Sequence, residues 1–119
     1  MPHIILECPR QLAERHDLGD LLDRLHAAIV REPSVSAADV KSRVHLLDQW
    51  RCGAPGSDAA FVHARVVLTR PRTAAQQASI QELILDGLVG AFGRPPGSLQ
   101  VCVELTTVAE GRYIKAVSS

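Results

Sequence analysis

Aromatic side chains are scarce in this sequence: two Phe, one Trp and one Tyr make up 3% of 119 residues. Packing must therefore come mainly from aliphatic side chains, and a small chain of this kind mildly favours self-association. An excess of charge of one sign is also lacking. Thirteen Lys and Arg balance thirteen Asp and Glu, and no basic tail or stripe marks a nucleic-acid partner. No apolar run is long enough to span a bilayer, which excludes a membrane partner of that kind. No signal-peptide pattern precedes the first apolar segment, so the expected location is cytoplasmic. Cysteines are few, odd in number and far apart: Cys8, Cys52 and Cys102. Without a C-x-x-C spacing they read as reduced thiols, and neither a zinc site nor a disulfide framework is expected.

What is present begins almost at residue 1. Met1-Pro2-His3-Ile4-Ile5-Leu6-Glu7-Cys8 opens a strand at about residue 3, with Ile4, Leu6 and Cys8 on one face and His3, Ile5 and Glu7 on the other. Pro2 sits at the mouth of that strand. An initiator Met is generally removed when the second residue is small, and removal here would leave a secondary amine in a folded site. An α-amino group ordinarily has a pKa of about 7.7–8.0. Burial and neighbouring cations lower it, which suits a general base at neutral pH. The alternative is that Pro2 merely opens a strand where its missing N–H does no harm. A Met1 that stays linked to Pro2 would make the Pro nitrogen an amide and abolish the base.

The rest of the chain reads as a repeated pattern within one domain, residues 1–119. Asp17 can cap a helix whose apolar stripe is Leu18, Leu21, Leu22, Leu25 and Ile29, ended near Glu32, Pro33 and Ser34. Residues 40–50 alternate as a second strand, with Lys41, Arg43 and His45 on one face. Residues 52–57 form a loop, and residues 60–68 a third strand. Thr73 and Gln76 make a capping box for a second helix carrying Ile80, Leu83, Ile84, Leu88 and Ala91, stopped by Gly93, Pro95 and Pro96. Leu99, Val101, Val103 and Leu105 alternate in a fourth strand. The order βαβ-βαβ divides the chain into pseudo-repeats of about 1–57 and 58–107, followed by a tail. Right-handed crossovers would put both helices on one face of a four-stranded sheet and leave the other face to water or another subunit.

Four blocks carry a family resemblance: residues 1–8, Ser42-Arg43-Val44-His45, Asp48-Gln49-Trp50 and Ala60-Phe61-Val62-His63. With Arg72, they resemble 5-carboxymethyl-2-hydroxymuconate isomerases of the tautomerase superfamily. The resemblance runs from residue 1 to about 92 and fades in the last quarter. It implies an α+β double-βαβ subunit assembled as a homotrimer, helices outside and sheets inside. It also implies that processed Pro2 is the base, that no metal or organic cofactor is needed, and that the substrate is a small carboxylated enol. The family reaction converts 5-carboxymethyl-2-hydroxymuconate to its oxo isomer in homoprotocatechuate breakdown.

Under that resemblance, Arg72 and Lys41 are the candidate carboxylate-binding cations. Lys41 stands where the family tends to have Arg, and it lacks the bidentate fork. Arg43 shares the face of Lys41 and either binds substrate or forms an intersubunit salt bridge. His3, His45 and His63 can approach one another across strands, and a hydrogen-bonded interior role is expected for each, with His3 and His45 as possible shapers of the site. His16 and His26 read as ordinary helix or surface residues, and Trp50 and Phe61 as packing or interface residues. Tyr113 and Arg112, in the tail, either close a neighbour's site or drape over the surface. Two other functions remain open: a tautomerase for a different small enol acid, and a non-catalytic trimer that uses the fold for binding.

Overall fold

The computed structural model of the chain describes residues 1–93 and 97–118. Its centre is a four-stranded sheet in the order β2-β1-β3-β4, built from β1 (Pro2–Pro9), β2 (Lys41–Leu47), β3 (Ala60–Leu68) and β4 (Leu99–Thr107). β1 pairs parallel with β2, β3 pairs parallel with β4, and the two halves meet through an antiparallel β1–β3 ladder. Two long helices make the crossovers: α2 (Leu18–Ile29) in the first half and α3 (Ala74–Phe92) in the second. A one-turn helix, α1 (Arg10–Ala13), follows β1 directly, and a 3-10 turn spans Ala37–Asp39.

Local chemistry starts both long helices. Asp17 Oδ1 accepts from the Asp20 amide at 3.0 Å. Thr73 and Gln76 form the full reciprocal capping box, as their spacing predicts. Gly93 ends α3 at φ 61°, a conformation that glycine adopts without a Cβ clash. Pro95 and Pro96, also expected as stops, lie outside the described residues.

The strand alternation sorts the side chains by face. Ile4, Leu6 and Cys8 join Val62, Ala64, Val66 and Leu68 beneath the helices, where Leu25, Ile29, Ile80, Ile84 and Leu88 meet them in one buried cluster. Gly87 lets α3 approach α2, since a Cβ there would stand 3.0 Å from Leu25 Cδ2. The opposite face carries His3, Glu7, Arg43, His63 and Glu104. That face has no helix over it.

One expected boundary needs correction, and one element was unforeseen. β2 ends at Leu47 rather than 50: Asp48 leaves the ladder to take Arg10 Nε at 2.7 Å, and Trp50 turns to meet Phe61 edge-on at 6.2 Å. α1 was not foreseen, because four residues are too few for a periodic signal. In the single chain His45 is exposed, since β2 is an edge strand and no helix covers that face of the sheet.

Candidate active site at the mouth of the first strand

The ladder register decides what meets Pro2. It pairs with Leu68, and His3 pairs with both Val67 and Lys41. The start of β1 therefore lies beside the start of β2 and the end of β3. Whatever precedes Lys41 or follows Leu68 must converge there. Those residues are Asp39 on one side and Thr69, Arg70 and Arg72 on the other.

Met1 itself is packed into this corner. It is 5% exposed, lies outside the main hydrophobic cluster, and its carbonyl accepts from Thr69 Oγ1 at 2.9 Å. Its amine has a pKa below the ordinary 8.0. Burial is the largest cause, followed by the charges of Arg72 and Arg70; Asp39 opposes and Lys41 adds a little. Both effects penalise the ammonium form.

Arg72 is held rather than free. Its Nε donates to Ser34 Oγ at 2.9 Å and its Nη2 to the Ser34 carbonyl at 3.3 Å. Ser34 in turn donates from its hydroxyl and amide to Glu32 Oε2, at 2.8 and 3.0 Å. Glu32 is the buried charged residue that anchors this relay. The remaining nitrogen, Arg72 Nη1, is buried with no hydrogen-bond partner. A buried donor left bare costs free energy, about 1–3 kcal/mol and more for a charged group, so it marks a place where an acceptor belongs. Burial also lowers the Arg72 pKa, with Glu32 pulling the other way.

The family model described as 5-carboxymethyl-2-hydroxymuconate isomerase matches residues 2–116. The chain belongs to this family. It is therefore an isomerase of the tautomerase superfamily. The match extends well past residue 92, where the resemblance was expected to fade, so the tail belongs to the family pattern too.

The isomerase is similar to the 5-carboxymethyl-2-hydroxymuconate Delta-isomerase of Escherichia coli, 27% identical over 86 residues that make up 72% of this chain and 68% of that one. Its fold is shared with a 5-carboxymethyl-2-hydroxymuconate isomerase from Deinococcus radiodurans R1, at TM-score 0.87 and 20% identity, covering 98% of this chain and 90% of that one. A more distant fold likeness is a structure described as a fused 4-OT wild-type symmetric trimer. It has TM-score 0.68 and 16% identity, covering 98% of this chain and 94% of that one.

Within this family member, the candidate residues divide into two groups. Pro2, His3, Lys41 and Arg72 meet at one end of the sheet. Arg43 lies two positions further along β2 but reaches back to His3, its Nη1 standing 3.1 Å from Nδ1. His45 does not join them. It pairs with Glu7, four residues from Lys41 and thus about 13 Å along the strand. His63 is engaged elsewhere, between Glu104 at 2.9 Å and Glu7 at 3.5 Å. Among the described residues, no group of His, Cys, Asp and Glu is disposed to hold a metal ion, and no helix is long and apolar enough to cross a membrane.

Sequence reasoning missed Arg70, Asp39, Thr69, Glu32 and Ser34 at this corner. The signal for Thr69 and Arg70 was the antiparallel β1–β3 pairing, which brings the β3 end beside Met1; Asp39 arrives by the parallel β1–β2 pairing, just before Lys41. Glu32 and Ser34 read only as the end of α2. Tyr113 and Lys115 also arrive here. The tail leaves β4 through the Val108 amide, which donates to the Leu68 carbonyl at 2.8 Å. Tyr113 then lies against His3, and Lys115 Nζ meets Asp39 Oδ1 at 3.2 Å. The bond from Lys115 lowers the Asp39 pKa. Within the single chain, the tail drapes over its own N-terminal corner. A cavity of 170 Å³ opens at the other end of β1, lined by Pro9, Leu12, Arg15, Trp50, Asp58 and Leu99; Lys41, Arg70 and Arg72 are not among its lining residues.

Proposed function

We propose that this isomerase moves a proton through a small carboxylated dienol without a cofactor, converting 5-carboxymethyl-2-hydroxymuconate to its oxo isomer in the cytoplasm. The amine of Pro2, released by removal of Met1, is the general base. The observation that carries this reading is the burial of Met1 among Arg72, Arg70 and Lys41. Taking Met1 away exposes the Pro2 nitrogen and leaves a space beside three cations and the Thr69 hydroxyl. The environment that lowers the Met1 amine pKa would act on the Pro2 amine as well, keeping it neutral near pH 7.

In this mechanism neutral Pro2 takes the proton of the substrate 2-hydroxyl, and electron density moves along the conjugated system. The prolinium then gives the proton to a carbon further along, so one O–H bond is broken and one C–H bond is formed. Arg72 Nη1, the bare buried donor, receives a substrate carboxylate oxygen, with Arg70 and Lys41 adding positive charge. Arg43 serves His3 in preference to substrate, because its guanidinium is directed at the ring nitrogen. His45 has no part in the reaction.

The uncovered sheet face and the likeness to a fused 4-OT trimer support assembly as a homotrimer with that face inward. One observation favours a second substrate reading, a different small enol acid. Lys41 Nζ is directed at the Asp39 carbonyl, 3.3 Å away, and supplies a point charge where a bidentate carboxylate grip would need Arg. Following a panel of dienols by ultraviolet absorbance separates the two readings. Turnover of 5-carboxymethyl-2-hydroxymuconate well above the other dienols supports the first. A non-catalytic trimer would turn over none of them.

A further inference from the structure

The proposed reaction leaves an oxygen that gains negative charge as its proton departs, and beyond the Thr69 hydroxyl no group named so far is a neutral donor for it. The tail places one nearby. Tyr113 Oη lies 2.8 Å from His3 Nε2, with the rings edge to face at 5.5 Å and 72°. His3 follows Pro2 directly in the chain. Tyr113 is half-buried, on a segment fixed at Leu68 before it and at Asp39 after it.

We infer that Tyr113 is a substrate-facing hydrogen-bond donor of this site, its hydroxyl proton kept free by an Arg43–His3–Tyr113 chain. The inference rests on the reading of the Pro2 corner as the reaction site. The direction of the chain follows from donor and acceptor inventory alone. A guanidinium has five N–H groups and no acceptor, so Arg43 Nη1 donates to His3 Nδ1 across 3.1 Å. His3 Nδ1 therefore carries a lone pair, and a neutral ring must then bear its proton on Nε2. Nε2–H donates to Tyr113 Oη. The phenol oxygen has accepted, so its own O–H points to whatever acceptor comes next.

Neutrality of the ring is built in. Burial, Arg43, Lys41 and the N-terminal amine all lower the His3 pKa, in that order, and Tyr113 faces the ring from the tail. The ligand this donor fits is an enolic or carboxylate oxygen of a small oxo or enol acid. No bond to Tyr113 breaks: it stabilises charge by a hydrogen bond that strengthens as the charge grows. Arg43 and His3 are positioning residues in this scheme. It also explains why a family cation beside the site reaches for a histidine instead of the space beside Pro2.

The test is Tyr113→Phe, which keeps the ring against His3 and removes only the hydroxyl. With 5-carboxymethyl-2-hydroxymuconate, kcat should fall about 10- to 100-fold while KM changes little. In parallel, nitrogen NMR of histidine-labelled wild-type protein should show His3 as the Nε2–H tautomer at neutral pH. Wild-type kcat in Tyr113→Phe overturns the inference, as does an Nδ1–H tautomer, in which Tyr113 would donate to His3 and have no proton to spare. Pro2→Ala, assayed alongside, separates the failures. If Pro2→Ala keeps full turnover, the reading of the corner falls; if Pro2→Ala is crippled and Tyr113→Phe is not, only the role of Tyr113 falls.

Discussion

Arg72 is tied at two nitrogens and bare at the third, which makes Ser34 the residue that aims it. Ser34→Ala removes the hydroxyl that accepts from Nε and donates to Glu32 while leaving the charge of Arg72 in place. Hydrogen bonds to charged groups contribute about 1.5–3 kcal/mol. The expected result is a KM raised about tenfold or more, with kcat less affected, in steady-state assays. Arg72→Ala should raise KM further by removing the donor altogether, and equal KM values for Arg72→Ala and wild type would refute the carboxylate assignment. Pro2→Ala leaves a primary amine after processing, a weaker base in the same place, so a fraction of the activity should remain. Pro2, Lys41 and Arg72 were singled out beforehand by the family resemblance, and patterning located each at an element boundary. Partners such as Ser34 and Glu32 were not, since a relay between two loops leaves no periodic trace.

At the scale of elements, α3 shows how capping and packing share the work. Thr73→Ala breaks the capping box and should cost about 1 kcal/mol in urea unfolding. Ile84→Ala, in a fully buried position facing the sheet, should cost about 2–5 kcal/mol. A smaller loss for Ile84 than for Thr73 would mean that α3 does not pack as described. The four strands and two long helices were legible because the sheet is covered on one side only, so period 2 and period 3.6 are both clean. Face assignments for β1 and β3 follow directly from that alternation. Strand direction between the halves was not legible, since alternation looks the same read either way, and with it went Thr69, Arg70 and the tail. α1 and the early end of β2 were hidden for a related reason: a single Arg10–Asp48 ion pair leaves no pattern in the sequence.

For the whole molecule, the titrating groups define a stability window. His3 has a folded pKa below 6.5, so the unfolded chain binds more protons there and stability falls as pH drops below about 6.5. Cys8 is a buried thiol with its pKa raised above 9.0; the unfolded chain loses its proton first, and stability falls as pH climbs past 9.0. The N-terminal amine, also held below its ordinary 8.0, starts the acid-side loss earlier, so thermal melts should be flat only between about pH 8.0 and 9.0 and decline on either side; melting that keeps improving below pH 6 would contradict the His3 environment. The proposed trimer would cover the exposed face that holds Arg43, His45 and Glu104, and sedimentation should then report three chains. The central claim is that the Pro2 nitrogen is uncapped in working protein, and the intact mass of untagged, fully active enzyme tests it most directly. The expected mass is that of a chain lacking Met1 and beginning at Pro2; full turnover from protein that keeps Met1 would rule out Pro2 as the base.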